Sequence, residues 1–101
     1  MTVEKTYVFS KELVVFAPSA HGVYVLYDDT GIIYIGEASG KDVSIRSRLL
    51  DHLRGDHGRW TQTAKHFWWE VNANPTARER VLLQEFRAKN GRLPRCNSVM
   101  P

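Results

Sequence analysis

The sequence has a single cysteine, Cys96, so an internal disulfide and a thiolate zinc cage are both excluded. It has no long hydrophobic run: the apolar stretches at residues 23–27 and 32–35 are far too short to cross a bilayer, and no membrane partner is expected. The first ten residues lack the basic-then-apolar order of a secretion signal, which makes a reduced, cytoplasmic setting the expected home. With 4 prolines and 7 glycines in 101 residues and no repeat, fibrous and low-complexity classes are excluded as well. Acidic residues run short in one part of the chain only. Residues 1–40 carry Lys5 and Lys11 against five acids, whereas residues 41–101 carry twelve lysines and arginines against six acids, for a net charge of +3. A basic half suits a phosphate-bearing partner, but a solvated basic surface explains the charge alone equally well.

What is present describes one small folded domain. Apolar residues make up 43% of the chain, and its length leaves room for a single core. Residues 2–20 are ambiguous: 6–9 read as a short strand, and 12–16 as an apolar run that Pro18 ends. From Gly22 the pattern sharpens. Residues 23–27 and 32–35 are rich in β-branched and aromatic side chains around turn chemistry at 28–31, so they form a hairpin. A helix follows, capped by Asp42 or Ser44, with Ile45, Leu49 and Leu53 on one stripe and Gly55 closing it. Residues 56–65 are polar and loop-like, with room for a helical turn, and residues 67–71 read as a third strand. The last helix starts after Pro75, where Thr76 and Glu79 stand at the capping-box spacing. It offers Val81, Leu82, Leu83 and Phe86 to the core and ends at Gly91. The expected fold class is α/β: a small three-stranded, mainly antiparallel sheet flanked by helices. Residues 1–19 form an N-terminal leader, an added strand or helix, and residues 20–101 form the domain proper.

Three polar residues stand out on these helices. At about 100° per residue, Arg48 and His52 lie side by side and flank the apolar stripe beside Ile45. The same projection puts Glu85 between Val81 and Leu82, on the core-facing side, where a carboxylate needs a metal ion or an arginine as partner. Taken singly, each is better explained as an edge salt bridge or a hydrogen-bonded helix residue. His21, His57 and His66 fall at no metal-ligand spacing, and Glu79 reads as the capping partner of Thr76.

Taken together they resemble a known family. Gly22-Val23-Tyr24 followed by Tyr34-Ile35-Gly36 is similar to the paired signature of GIY-YIG nucleases. Arg48 and His52 match the family's arginine followed four residues later by histidine or tyrosine, and Glu85 matches its metal-binding glutamate. Pro94 to Asn97 resembles the Pro-x-x-Asn ending of the nuclease domain in the bacterial excision-repair incision subunit. Five elements in order, over residues 20–97, carry more weight than two tripeptides.

The resemblance implies the GIY-YIG nuclease fold and a metal-dependent endonuclease that hydrolyses DNA phosphodiester bonds, DNA being favoured over RNA, in repair or processing. It implies one Mg2+ or Mn2+ ion held by Glu85, with Arg48 bridging phosphate oxygens. Tyr24 or Tyr34 orients or deprotonates the attacking water. A phenol with a pKa of about 10 is a poor base unless the metal or a histidine assists, and His52 is the helper at hand. Gly22, Gly36 and Asn97 are structural supports. Glu37 departs from the pattern, standing where many members carry lysine. No separate DNA-recognition domain fits, so selectivity is expected to be low unless a homodimer or a protein partner supplies it. The alternatives are a catalytically idle nucleic-acid-binding module of the same fold and a protein-interaction domain. The mechanism also needs Tyr24 and Tyr34 on one face of the hairpin. A simple four-residue loop at 28–31 puts them on opposite faces, whereas a three-residue loop at 28–30, with a bulge at Gly31 to suit its odd count, pairs Tyr24 with Tyr34. The expected register is that pairing, or a bulge that restores the shared face.

Overall fold

The computed structural model describes residues 5–97. Among these residues, four antiparallel strands form one sheet in the order β1-β4-β2-β3: β1 (Tyr7–Val8), β2 (Gly22–Asp28), β3 (Gly31–Ala38) and β4 (His66–Val71). The sheet has one strand more than the three expected, because Tyr7 and Val8 of the leader pair with Phe67 and His66. Around it lie α1 (Lys11–Val14), α2 (Ile45–Arg54), α3 (Arg59–Gln62) and α4 (Pro75–Asn90). None of the described helices is long and apolar enough to cross a membrane.

β2 runs through the centre and is buried on both faces, which is why its sequence is an unbroken apolar run and does not alternate. One face gathers Tyr24, Leu26, Ile33 and Phe67 under Ile45 and Leu49 of α2. The other gathers Val23, Val25 and Ile35 under Leu82 of α4. Leu82 alone contributes about 1.5–3 kcal/mol by leaving water. Trp68 and Trp69 alternate as a strand requires, one packing on each cluster.

The helix starts follow local chemistry. Ser44, not Asp42, caps α2, in a capping box with Ser47, and Gly55 ends it at φ 84°. α4 starts differently from the expectation. Asn74 is its cap, accepting from the Ala77 amide at 3.3 Å with Pro75 at the first helical position, so the Thr76–Glu79 box does not form. Thr76 instead donates to Glu37 at 2.6 Å. A second expectation fails along the same helix. The packed ridge runs through Leu82, Leu83 and Phe86, whereas Val81 is 42% exposed and Glu85 lies exposed beside it on the next ridge. Val81 and Glu85 are one turn apart, so turning the helix to seat Leu82 and Phe86 turns both outward.

The hairpin takes the bulged alternative. Asp28 pairs with Gly31 and Tyr27 with Ile32, but Leu26 pairs with Tyr34, leaving Ile33 as the extra residue. Tyr24 therefore sits opposite Gly36, and the direct Tyr24–Tyr34 pair does not occur. Leu26 shares a face with Tyr24 by alternation and with Tyr34 by pairing, so both tyrosines point the same way. The bulge falls at Ile33 and not at Gly31, which at φ 118° serves the turn.

Candidate active site

The shared face of β2 and β3 carries the tyrosines toward α2. Tyr24 is 2% exposed, and its ring lies over the backbone of Gly36: a Cβ there would stand 2.5 Å from Tyr24 Cζ. Gly22 is equally constrained, since a Cβ would stand 2.1 Å from the Glu70 carbonyl oxygen. Both motif glycines thus keep backbone open for a neighbour. The two phenol rings lie 6.1 Å apart.

His52 projects from α2 between them, its ring centroid 5.4 Å from that of Tyr24 and 5.0 Å from that of Tyr34. It is fully buried and hydrogen-bonded at both nitrogens, Nε2 at 2.8 Å from the Tyr24 hydroxyl and Nδ1 at 2.7 Å from Thr61 Oγ1. His57 stacks on it at 4.4 Å, and Arg48 Nη1 lies 3.4 Å from His57 Nε2. Burial, with His57 and Arg48 adding to it, pushes the His52 imidazole down to about 3. The ring is therefore neutral at neutral pH.

Burial raises both phenols. For Tyr24 the charge of Tyr34 adds to burial; for Tyr34 the charge of Glu79 does, while its hydrogen bond with Tyr24 favours the phenolate. Arg48 pulls both down. The Arg48 Nε is buried with no hydrogen-bond partner among the described residues, an uncommon state for a buried donor.

Glutamate placement departs from the sequence reading. Glu85 is exposed and lines a cavity with Ile32, Leu82, Phe86 and Lys89. Glu79 is the glutamate of α4 whose charge acts on both Tyr24 and Tyr34. It is partly buried, and burial followed by the nearby Glu37 pushes its carboxyl up to about 7. Carboxylates crowded in this way attract a cation. No group of three or more histidine, cysteine, aspartate or glutamate side chains suited to a metal gathers among the described residues. The donors present are hard oxygens, which fits a cation that keeps most of its water better than one that needs a full protein cage.

Tyr24, Tyr34, Arg48 and His52 thus come together, while Glu85 lies on another ridge. Asn97 holds β3 instead: its Oδ1 accepts from the Ile35 amide at 2.9 Å and its Nδ2 donates to the Ile35 carbonyl at 2.8 Å. Sequence reasoning did not place three residues beside this group: Glu79, read as a capping partner, and His57 and Thr61, which stand in a polar stretch without periodicity.

No family model and no curated protein sequence matches the chain. Solved structures do. The GIY-YIG N-terminal endonuclease domain of UvrC from Thermotoga maritima superposes at TM-score 0.60 and 21% identity, over 85% of this chain and 91% of that one. A further variant of the same domain matches at 20% identity and TM-score 0.60, over 85% and 92% of the two chains. Those structures are point mutants of the domain, each bound to its catalytic divalent cation. This chain has the fold of the GIY-YIG endonuclease domain of UvrC.

Proposed function

We propose that this protein is a metal-dependent endonuclease hydrolysing DNA phosphodiester bonds. The observation that carries the reading is Arg48: its buried Nε has no hydrogen-bond partner among the described residues, and its charge acts on two phenols that share one face. Such a donor is satisfied by an incoming oxyanion, and a phosphate oxygen has the right charge and geometry. We assign the cation to Glu79, with Glu37 beside it, in preference to Glu85, because the charge of Glu79 acts on both phenols and its carboxyl is half-buried beside that of Glu37. A divalent cation held there, magnesium or manganese, would supply Lewis acidity toward the scissile phosphate.

The chain's own residues do the rest. Arg48 binds phosphate oxygens and stabilises the charge that builds on them. Tyr34, less buried than Tyr24, orients the attacking water and takes its proton as the phenolate. Arg48 and the hydrogen bond with Tyr24 favour that phenolate. Tyr24, held by His52, sets the position of Tyr34. Selectivity is low unless a second copy or a partner protein supplies it.

Nicking of supercoiled plasmid with Mg2+, and its loss in chelator, tests the reading. Glu79→Gln is expected to abolish nicking in a folded protein, and Glu85→Gln to leave it near wild type. The reverse pattern would return the cation to Glu85. Arg48→Ala should lower turnover about 10²–10³-fold with little change in DNA affinity. Salt-dependent binding without any cleavage would instead mark an idle nucleic-acid-binding module.

A further inference from the structure

α3 is a single turn in the polar stretch between α2 and β4, yet it contributes a fully buried side chain, Thr61. Among the described residues the one hydrogen-bond partner of Thr61 Oγ1 is His52 Nδ1, at 2.7 Å. The neutral ring of His52 carries one proton, which leaves two polarities for the chain Thr61–His52–Tyr24–Tyr34. In one, Tyr24 donates to Nε2 and Nδ1–H donates to Thr61. The Thr61 proton is then buried with no acceptor. In the other, Thr61 donates to Nδ1, Nε2–H donates to the Tyr24 oxygen, and the Tyr24 proton is left for Tyr34. That polarity gives the Thr61 and Nε2 protons acceptors, turns the Tyr24 hydroxyl toward the neighbouring Tyr34, whose phenolate it favours, and leaves a spare lone pair on Thr61, the cheaper defect.

The surroundings separately disfavour His52 as a base. If His52 took the Tyr24 proton it would become an imidazolium in a buried slot, with Arg48 close by and the His57 ring 4.4 Å away. Asp51 reaches His57 at 3.7 Å, and no ion pair to His52 forms among the described residues. Glu79 acts on the two phenols, not on the imidazole.

We propose that Thr61 is a positioning residue that fixes His52 as the Nε2–H tautomer, so that His52 serves Tyr24 as a hydrogen-bond donor and never as a base. The donors Thr61, His52 and Tyr24 then all point along the chain toward the Tyr34 oxygen. The catalytic consequence rests on the reading of Tyr34 as the group that meets the water; the tautomer does not.

Long-range 1H–15N correlation on the labelled wild-type protein, without metal or DNA, reads the tautomer directly. The expected result is an unprotonated Nδ1 and a protonated Nε2 on His52. A protonated Nδ1 overturns the proposal, whether or not the protein cuts DNA. Thr61→Val, which keeps the shape and removes the hydroxyl, is expected to lose the single tautomer and to lower turnover roughly 10²-fold without raising KM. Thr61→Ser is expected to restore both. An unchanged tautomer in Thr61→Val, or equal turnover in the Val and Ser variants, would assign Thr61 to packing alone. Wild-type protein with the expected tautomer and no nicking under any metal would sink the nuclease reading and leave this one standing.

Discussion

At His52, burial, His57 and Arg48 all disfavour the charged ring and hold it down to about 3. The folded pKa is depressed below the ordinary 6.5, so the unfolded chain binds the proton more readily. The contribution of His52 to stability is therefore full above about pH 6.5 and is lost progressively as pH falls toward 3. Relative to His52→Gln, the wild-type protein should lose about 2 kcal/mol between pH 7 and pH 5, read by denaturant unfolding of both proteins. A difference that does not change with pH would mean that the ring is not held neutral. Glu79 runs the other way. Its folded pKa is raised, so its contribution is present below the ordinary carboxylate range and lost as pH rises through about 7. Glu79→Gln should accordingly unfold later than wild type at pH 8, and this stabilisation should accompany the loss of nicking. A variant less stable than wild type at pH 8 would contradict the crowding of Glu79 with Glu37. The four motif residues were legible in the sequence because each stands at a fixed spacing from the next. Glu79 was not, because Thr-x-x-Glu after a proline carries a local explanation that the nearby Asn74 cap displaces.

Among the elements, β3 depends on a side chain for its outer edge. Asn97 meets both polar groups of Ile35, and the Cys96 amide donates to the Ile33 carbonyl at 2.9 Å, so the C-terminal segment stands in for a fifth strand. Asn97→Ala should cost about 2 kcal/mol by leaving that amide and carbonyl without partners, and it should speed exchange of the Ile35 amide. Protection unchanged at Ile35 would show that water replaces the asparagine without loss. The hairpin itself was legible from its composition, and so was its need for a shared tyrosine face. The place of the bulge was not. Ile33 is an ordinary strand residue, and it is the seating of its side chain with Tyr24 and Leu26 under α2, a tertiary contact, that selects it. The two-residue β1 and the turn α3 were equally hard to read, since elements this short have no period to detect.

Taken as a whole, the molecule is less basic toward a partner than the residue count suggests. Arg54, Lys65, Arg78 and Arg95 are each tied to an acid, so the phosphate-binding surplus rests on other residues. Arg80 and Arg87 line the cleft that Glu79 also lines. If that cleft receives the DNA backbone, the double variant Arg80→Ala/Arg87→Ala should flatten the dependence of log affinity on log salt by about 1.8, the slope expected for two phosphates. An unchanged slope would place the backbone elsewhere. The margins of the sheet bear on a different property. Strand addition by a neighbouring copy begins at unpaired backbone on a long, flat edge. Among the described residues one margin is the two residues of β1, and on the other the C-terminal segment meets the Ile33 carbonyl and both polar groups of Ile35. A short β1 and a β3 edge interrupted at its middle both work against strand addition, so crowding the protein should not drive it into cross-β aggregates while Asn97 stays in place.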